Sequence, residues 1–186
     1  MKNIKSKKYI GIFCGSKIGK KKIYKKETEM IINSLARNGY NFIYGGGKIG
    51  LMGTIYETVN KYKVNIIGII PESLNVKNIR QKDTKNLIVV KNMNKRKNLL
   101  INKSDILLIL PGAYGTLDEL FEILTLNQLK INNKPVIIIN IEKYWNPLKK
   151  LLNNMYEEGF LSKNDLNKIK WLNKSNNVLK EVKKLI

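Results

Sequence analysis

Two stretches of this chain, Ile106-Leu-Leu-Ile-Leu110 and Val136-Ile-Ile-Ile139, are apolar at every position and only as long as a strand. A strand with one wet face alternates apolar and polar side chains. Strands apolar on both faces belong in a sheet covered on both sides, the arrangement of parallel α/β sheets. Similar short runs recur along the chain and alternate with longer segments of helical period. We read strands at Tyr9–Cys14, Asn41–Tyr44, Val64–Ile70, Leu87–Val90, Ile106–Leu110, Val136–Ile141 and Lys168–Leu172. Helices fit Lys20–Asn38, Gly50–Tyr62, Met93–Lys103, Thr116–Lys130, Pro147–Glu158 and Asn177–Leu185, with Gly39 and Gly159 as the stops of the first and fifth. The pattern predicts an α/β fold with a doubly wound parallel sheet, in a single domain over 1–186.

Composition removes several function classes. The chain has no histidine, which excludes histidine general bases, Ser-His-Asp triads and histidine-ligated metals. Its one cysteine, Cys14, excludes a disulfide framework and suits a reducing, cytoplasmic setting. No apolar run approaches the roughly 20 residues of a membrane helix. The basic start, Met1–Lys8, is followed only by Tyr9–Cys14, short of the apolar core of a secretory signal. The formal charge of +21 would suit a nucleic-acid binder. However, the basic residues are spread over every predicted helix and no nucleic-acid motif accompanies them, so no such partner is expected. The field still attracts anionic substrates. Of the 35 basic residues only Arg37, Arg80 and Arg96 are arginine, the type suited to planar, bidentate contacts.

In sheets of this kind ligands bind beyond the carboxyl ends of the strands. Three predicted strand ends carry glycine turns, Cys14-Gly-Ser16, Gly45-Gly-Gly-Lys-Ile-Gly50 and Pro111-Gly-Ala-Tyr-Gly115, which should share one rim. The last opens a helix, whose first N–H groups lack internal partners and favour an anion. Glu119 follows one turn inside, so a phosphate seat lies beside a carboxylate. Spacing leaves alternatives open. Gly45, Gly47 and Gly50 match a dinucleotide fingerprint, with Glu72 as its acid, or simply make a tight turn. Thr116-Leu-Asp-Glu119 fits a capping box in which Glu119 only satisfies a backbone amide. Lys91–Lys97 is a binding segment or a solvated face.

Together, Ile43–Gly53, Met93-Asn-Lys-Arg-Lys97 and Pro111–Glu119 resemble the signature segments of the LOG ("lonely guy") family, cytokinin riboside 5′-monophosphate phosphoribohydrolases often labelled lysine decarboxylases. Lys134-Pro-Val136, Tyr144-Trp-Asn-Pro147 and Glu158-Gly-Phe160 extend the likeness to nearly the whole chain. The resemblance implies a Rossmann-like homodimer, with the long helix after the phosphate turn near the interface, and with neither NAD nor another cofactor nor a metal. Pyridoxal-dependent decarboxylation is not implied. The substrate would be a nucleoside 5′-monophosphate, cleaved to the free base and ribose 5-phosphate.

By that resemblance Arg96 and Glu119 are catalytic. Substrate contacts fall on Lys97, on Gly112, Ala113, Tyr114, Gly115, Thr116, Leu117 and Asp118, on Thr125, and on Gly46, Gly47, Met93 and Asn78. The amides of Gly115 and Thr116 would hold the 5′-phosphate. Arg96 would keep Glu119 ionised, and Glu119 would face the oxocarbenium character that grows on the ribose. The chain departs from the family pattern at three positions. Ala113 replaces a glycine, at a cost if that residue has positive φ. Asn94 replaces a histidine, and Asn78 replaces a glutamate that contacts substrate. The competing function is a non-catalytic nucleotide carrier, in which Glu119 only caps its helix.

Overall fold

The computed structural model describes residues 8–83 and 85–186; Met1–Lys7 of the basic start lies outside the described residues. Seven parallel strands form one sheet: β1 (Tyr9–Phe13), β2 (Asn41–Tyr44), β3 (Ile66–Pro71), β4 (Leu87–Val90), β5 (Ile106–Ile109), β6 (Val136–Ile139) and β7 (Ile169–Leu172), in the order β4-β3-β2-β1-β5-β6-β7. Among the described residues seven helices accompany them: α1 (Ile23–Arg37), α2 (Gly50–Val59), α3 (Met93–Lys103), α4 (Tyr114–Gln128), α5 (Asn146–Glu157), α6 (Lys163–Asn167) and α7 (Val178–Leu185). This is the doubly wound parallel α/β arrangement expected from the strand composition, and the Rossmann-like one that the family resemblance implies.

The continuous apolar runs divide their side chains between two cores. Ile10, Ile12, Phe42, Tyr44, Leu108 and Ile137 face α1, α2 and α7, packing with Ile31, Leu35, Ile55 and Val182. Phe13, Ile43, Leu107, Ile109 and Ile138 face the other way, packing with Leu100 of α3, Leu120 and Ile123 of α4 and Leu152 of α5. Burying such a side chain is worth about 1.5–3 kcal/mol, so covering both faces stabilises the sheet.

Several boundaries move. α1 starts at Ile23, and β6 ends at Ile139 with a tight helical turn over Ile141–Lys143. Helix α6 was not expected. Its signal was Ser162-Lys-Asn-Asp165, where Asp165 N donates to Ser162 Oγ at 3.1 Å and Ser162 Oγ donates to Asp165 Oδ2 at 2.6 Å.

The strand order reverses between β1 and β5, which lie side by side in the centre of the sheet. Their carboxyl ends are tied together: Leu110 N donates to Phe13 O at 2.9 Å and Gly15 N to Pro111 O at 3.0 Å. The turn after β2 joins them through Leu51 N, which donates to Gly15 O at 3.2 Å. The three glycine turns therefore meet on one rim, at the crevice where such folds hold ligands.

Candidate active site

Arg96 lies in the second turn of α3, whose start is fixed by the Asn92 side chain accepting from Lys95 N at 2.9 Å. Its side chain runs inward to the rim and is only 8% exposed. There it meets three segments far apart in sequence. Nε donates to Ile69 O of β3 at 3.0 Å, Nη2 to Gly45 O after β2 at 3.5 Å, and Nη1 to Glu119 Oε1 of α4 at 2.8 Å. A Cβ on Gly45 would collide with Nη2, so this position admits the guanidinium only as glycine. Gly50, at φ +63°, packs against the backbone of Ser16 and Lys17. Two of the three fingerprint glycines are thus accounted for by packing within the chain.

Glu119 is 5% exposed and completes a buried ion pair with Arg96. The pair forms as expected, but the net electrostatic outcome is reversed. Burial pushes the Glu119 carboxyl up to about 7, and Arg96 offsets only part of that cost. Neighbouring Cys14, buried beneath the rim, has its thiol pushed well above the usual range by burial and then by the Glu119 charge. It is an inert core thiol.

The capping-box expectation fails. α4 starts at Tyr114 with Ala113 as its cap, two residues before the expected Thr116, so Thr116 is already inside the helix. Thr116 N donates to Ala113 O at 3.0 Å, and Glu119 is engaged by Arg96. The Thr116 amide is therefore spent. Among the described residues, the N–H groups of Gly112, Ala113, Tyr114 and Gly115 have no protein acceptor, which shifts the anion-facing set upstream. Ala113 has φ −115°, so its methyl carries none of the positive-φ cost.

The other expected contacts scatter. Lys97 pairs with both Asp118 at 2.9 Å and Glu122 at 2.6 Å on the flank of α4, one cation between two carboxylates. Leu117 is half-buried in the core on the α4 side. Thr125 is exposed, six residues beyond Glu119, beside a separate apolar cavity of about 190 Å³ that includes Phe121 and Met155. Met93 is exposed at the start of α3, and Asn78 is exposed on the segment that straps the glycine turn. That strap runs over Gly46 and Gly47: Lys48 N donates to Ile79 O, Gln81 N to Gly46 O, and Tyr44 Oη to Gln81 Oε1 at 2.7 Å.

A cavity of about 380 Å³ opens beside the Gly112–Tyr114 turn, lined also by Ser16, Lys17, Tyr24 and Tyr144. None of these four was singled out from sequence as a site residue. Their signals were the first glycine turn and the Tyr144-Trp-Asn-Pro147 motif.

The protein-family profile described as "Possible lysine decarboxylase" matches residues 52–182. The chain is 38% identical over 155 residues to a cytokinin riboside 5′-monophosphate phosphoribohydrolase of Arabidopsis thaliana, covering 83% of this chain and 72% of that protein. It is also 38% identical over 150 residues to a probable enzyme of the same description from Oryza sativa subsp. japonica, covering 81% of this chain and 62% of the rice protein. The chain belongs to the LOG family. Solved structures share the fold at lower identity. A molybdenum cofactor binding protein from Rippkaea orientalis aligns with a TM-score of 0.71 at 22% identity, over 97% of this chain and 98% of that one. A Moco carrier protein from Chlamydomonas reinhardtii aligns at 0.71 and 18%, with the same coverage. In this LOG-family chain the arginine of the Arg-Lys pair and the glutamate that follows the Pro-Gly-Ala-Tyr-Gly-Thr turn form one buried ion pair.

Proposed function

We propose that this protein hydrolyses the N-glycosidic bond of an N6-substituted adenosine 5′-monophosphate, releasing the free base and ribose 5-phosphate. The observation that carries the reading is the 2.8 Å contact between Arg96 and Glu119, at the rim where the amides of Gly112–Gly115 are unpaired. The 5′-phosphate docks on those amides, with Lys17 nearby and the positive end of α4 behind them. The ribose then lies towards Glu119. As the bond to the base lengthens, the electron pair leaves with the base and positive charge grows on the sugar. The ionised Glu119 stabilises that charge in a site with little competing water. Arg96, tied to Ile69 O and Gly45 O, holds the carboxylate in place. Water delivers the hydroxyl to the anomeric carbon, and its proton goes to the departing base.

In this reading Gly46, Gly47, Asn78 and Met93 supply further substrate contacts. The proposal includes a homodimer in which the outer face of α4, with Thr125, meets a second copy. It includes a cytoplasmic setting and no nucleic-acid partner. Among the described residues no helix is long and apolar enough to cross a membrane.

Incubation with N6-isopentenyl-AMP should release equal amounts of free base and ribose 5-phosphate, faster than with plain AMP and far faster than with the nucleoside. Glu119→Gln should bind the nucleotide and release nothing. Undiminished turnover by that variant would remove Glu119 from the mechanism. Tight binding without turnover of any purine monophosphate would favour the carrier reading.

A further inference from the structure

Glu142 and Lys143 have φ of +52° and +60°, and they are adjacent non-glycine residues. A left-handed conformation is disfavoured for such residues and persists where the surroundings enforce it. Here the enforcement is visible. Buried Asn140 accepts from Trp145 N through Oδ1 at 2.7 Å and donates to Asn146 Oδ1 at 2.8 Å, while Tyr144 N donates to Ile141 O at 3.0 Å. What the turn delivers is Tyr144. Its ring is held edge-on by Tyr24 at 5.8 Å and by Trp145 at 4.8 Å, and its hydroxyl donates to Gly112 O.

The planar trans peptide transmits that contact. The Gly112 carbonyl and the Ala113 N–H belong to one peptide unit and point in opposite directions, so pinning the carbonyl fixes the direction of the amide. We propose that Tyr144 is a positioning residue for the phosphate turn: the strained Glu142–Lys143 backbone brings its phenol to Gly112 O and thereby pre-aims the unpaired amides that begin at Ala113. The proposal rests on the reading that the 5′-phosphate docks on this turn.

The test compares a ligand carrying the phosphate with one lacking it. Tyr144→Phe removes one hydroxyl and keeps the ring between Tyr24 and Trp145. It should weaken ribose 5-phosphate binding about fivefold, the loss expected from one neutral hydrogen bond, and leave adenosine binding within about twofold of wild type. In turnover, KM for the nucleotide should rise while kcat at saturation stays within about twofold, since the amides bind ground and transition states alike. Lys143→Gly accepts positive φ without strain and leaves the Asn140 network in place, so it should keep the melting temperature undiminished and ribose 5-phosphate affinity within about twofold of wild type. Equal losses for both ligands in Tyr144→Phe, or unchanged ribose 5-phosphate affinity in that variant, would overturn the proposal. A wild-type protein that binds ribose 5-phosphate in this Tyr144-dependent way but cleaves no purine monophosphate would refute the hydrolase reading and leave this one standing.

Discussion

Glu119 makes the stability of the protein depend on pH in a direction opposite to that of most ion-paired carboxylates. Burial raises its pKa from the ordinary value near 4.5 to about 7 despite the guanidinium at 2.8 Å. A carboxyl whose folded pKa lies above its unfolded one holds an extra proton in the folded state between those two values. Stability therefore falls as pH rises through that window and is level on either side. At about 1.4 kcal/mol per pKa unit, the span from 4.5 to about 7 amounts to roughly 3 kcal/mol. Glu119→Gln keeps an oxygen that can accept from Arg96 and removes the titration. The stability of the variant relative to wild type should therefore climb by roughly 3 kcal/mol between pH 4.5 and 8, or roughly 6–12 °C in melting temperature for a chain of this size. Urea denaturation of both proteins at half-unit pH steps measures the difference directly, since every other titrating group is shared. A difference that stays flat would refute the reasoning, and one that shrinks with pH would show that Arg96 outweighs burial. The same proton should appear in catalysis: kcat/KM should rise with pH to a plateau above about 7, because the ionised carboxylate is the working form.

Arg96→Met leaves Glu119 buried without its partner, and at pH 8 it should cost about 3–5 kcal/mol by urea denaturation. The cost should shrink at pH 5, where Glu119 stays protonated, and nucleotide cleavage should be lost at both. Ala113→Gly restores the family's glycine at a residue with φ −115°. It should lower stability by about 0.5–1 kcal/mol through added chain freedom, leaving KM within about twofold in a substrate titration.

Much of this architecture was legible beforehand. Ile106–Leu110 and Val136–Ile139 carry apolar side chains on both faces, which demands cover on both sides and hence a parallel sheet with two helix layers. The convergence of the glycine turns followed from strand direction alone, since parallel strands deliver their carboxyl ends to one edge. The start of α4 was misplaced because Thr116 and Glu119 satisfy a local capping pattern. The actual helix begins at Tyr114, where four amides are left without protein acceptors, and Glu119 is drawn to a partner 23 residues away. Local patterns report what a segment can do alone, and here a long-range ion pair outcompeted a local cap.

The chain's order of residues determined the layers, the rim and the family, because periodicity, glycine placement and motif spacing are properties of short segments. Only the tertiary structure decided the charge balance. The cost of ionising Glu119 depends on how completely the sheet, α3 and α4 exclude water around it, and its partner Arg96 is held there by the carbonyls of Ile69 and Gly45 from two further segments. The same holds for Tyr144, whose hydroxyl reaches Gly112 across 32 residues through a strained turn that no local propensity favours.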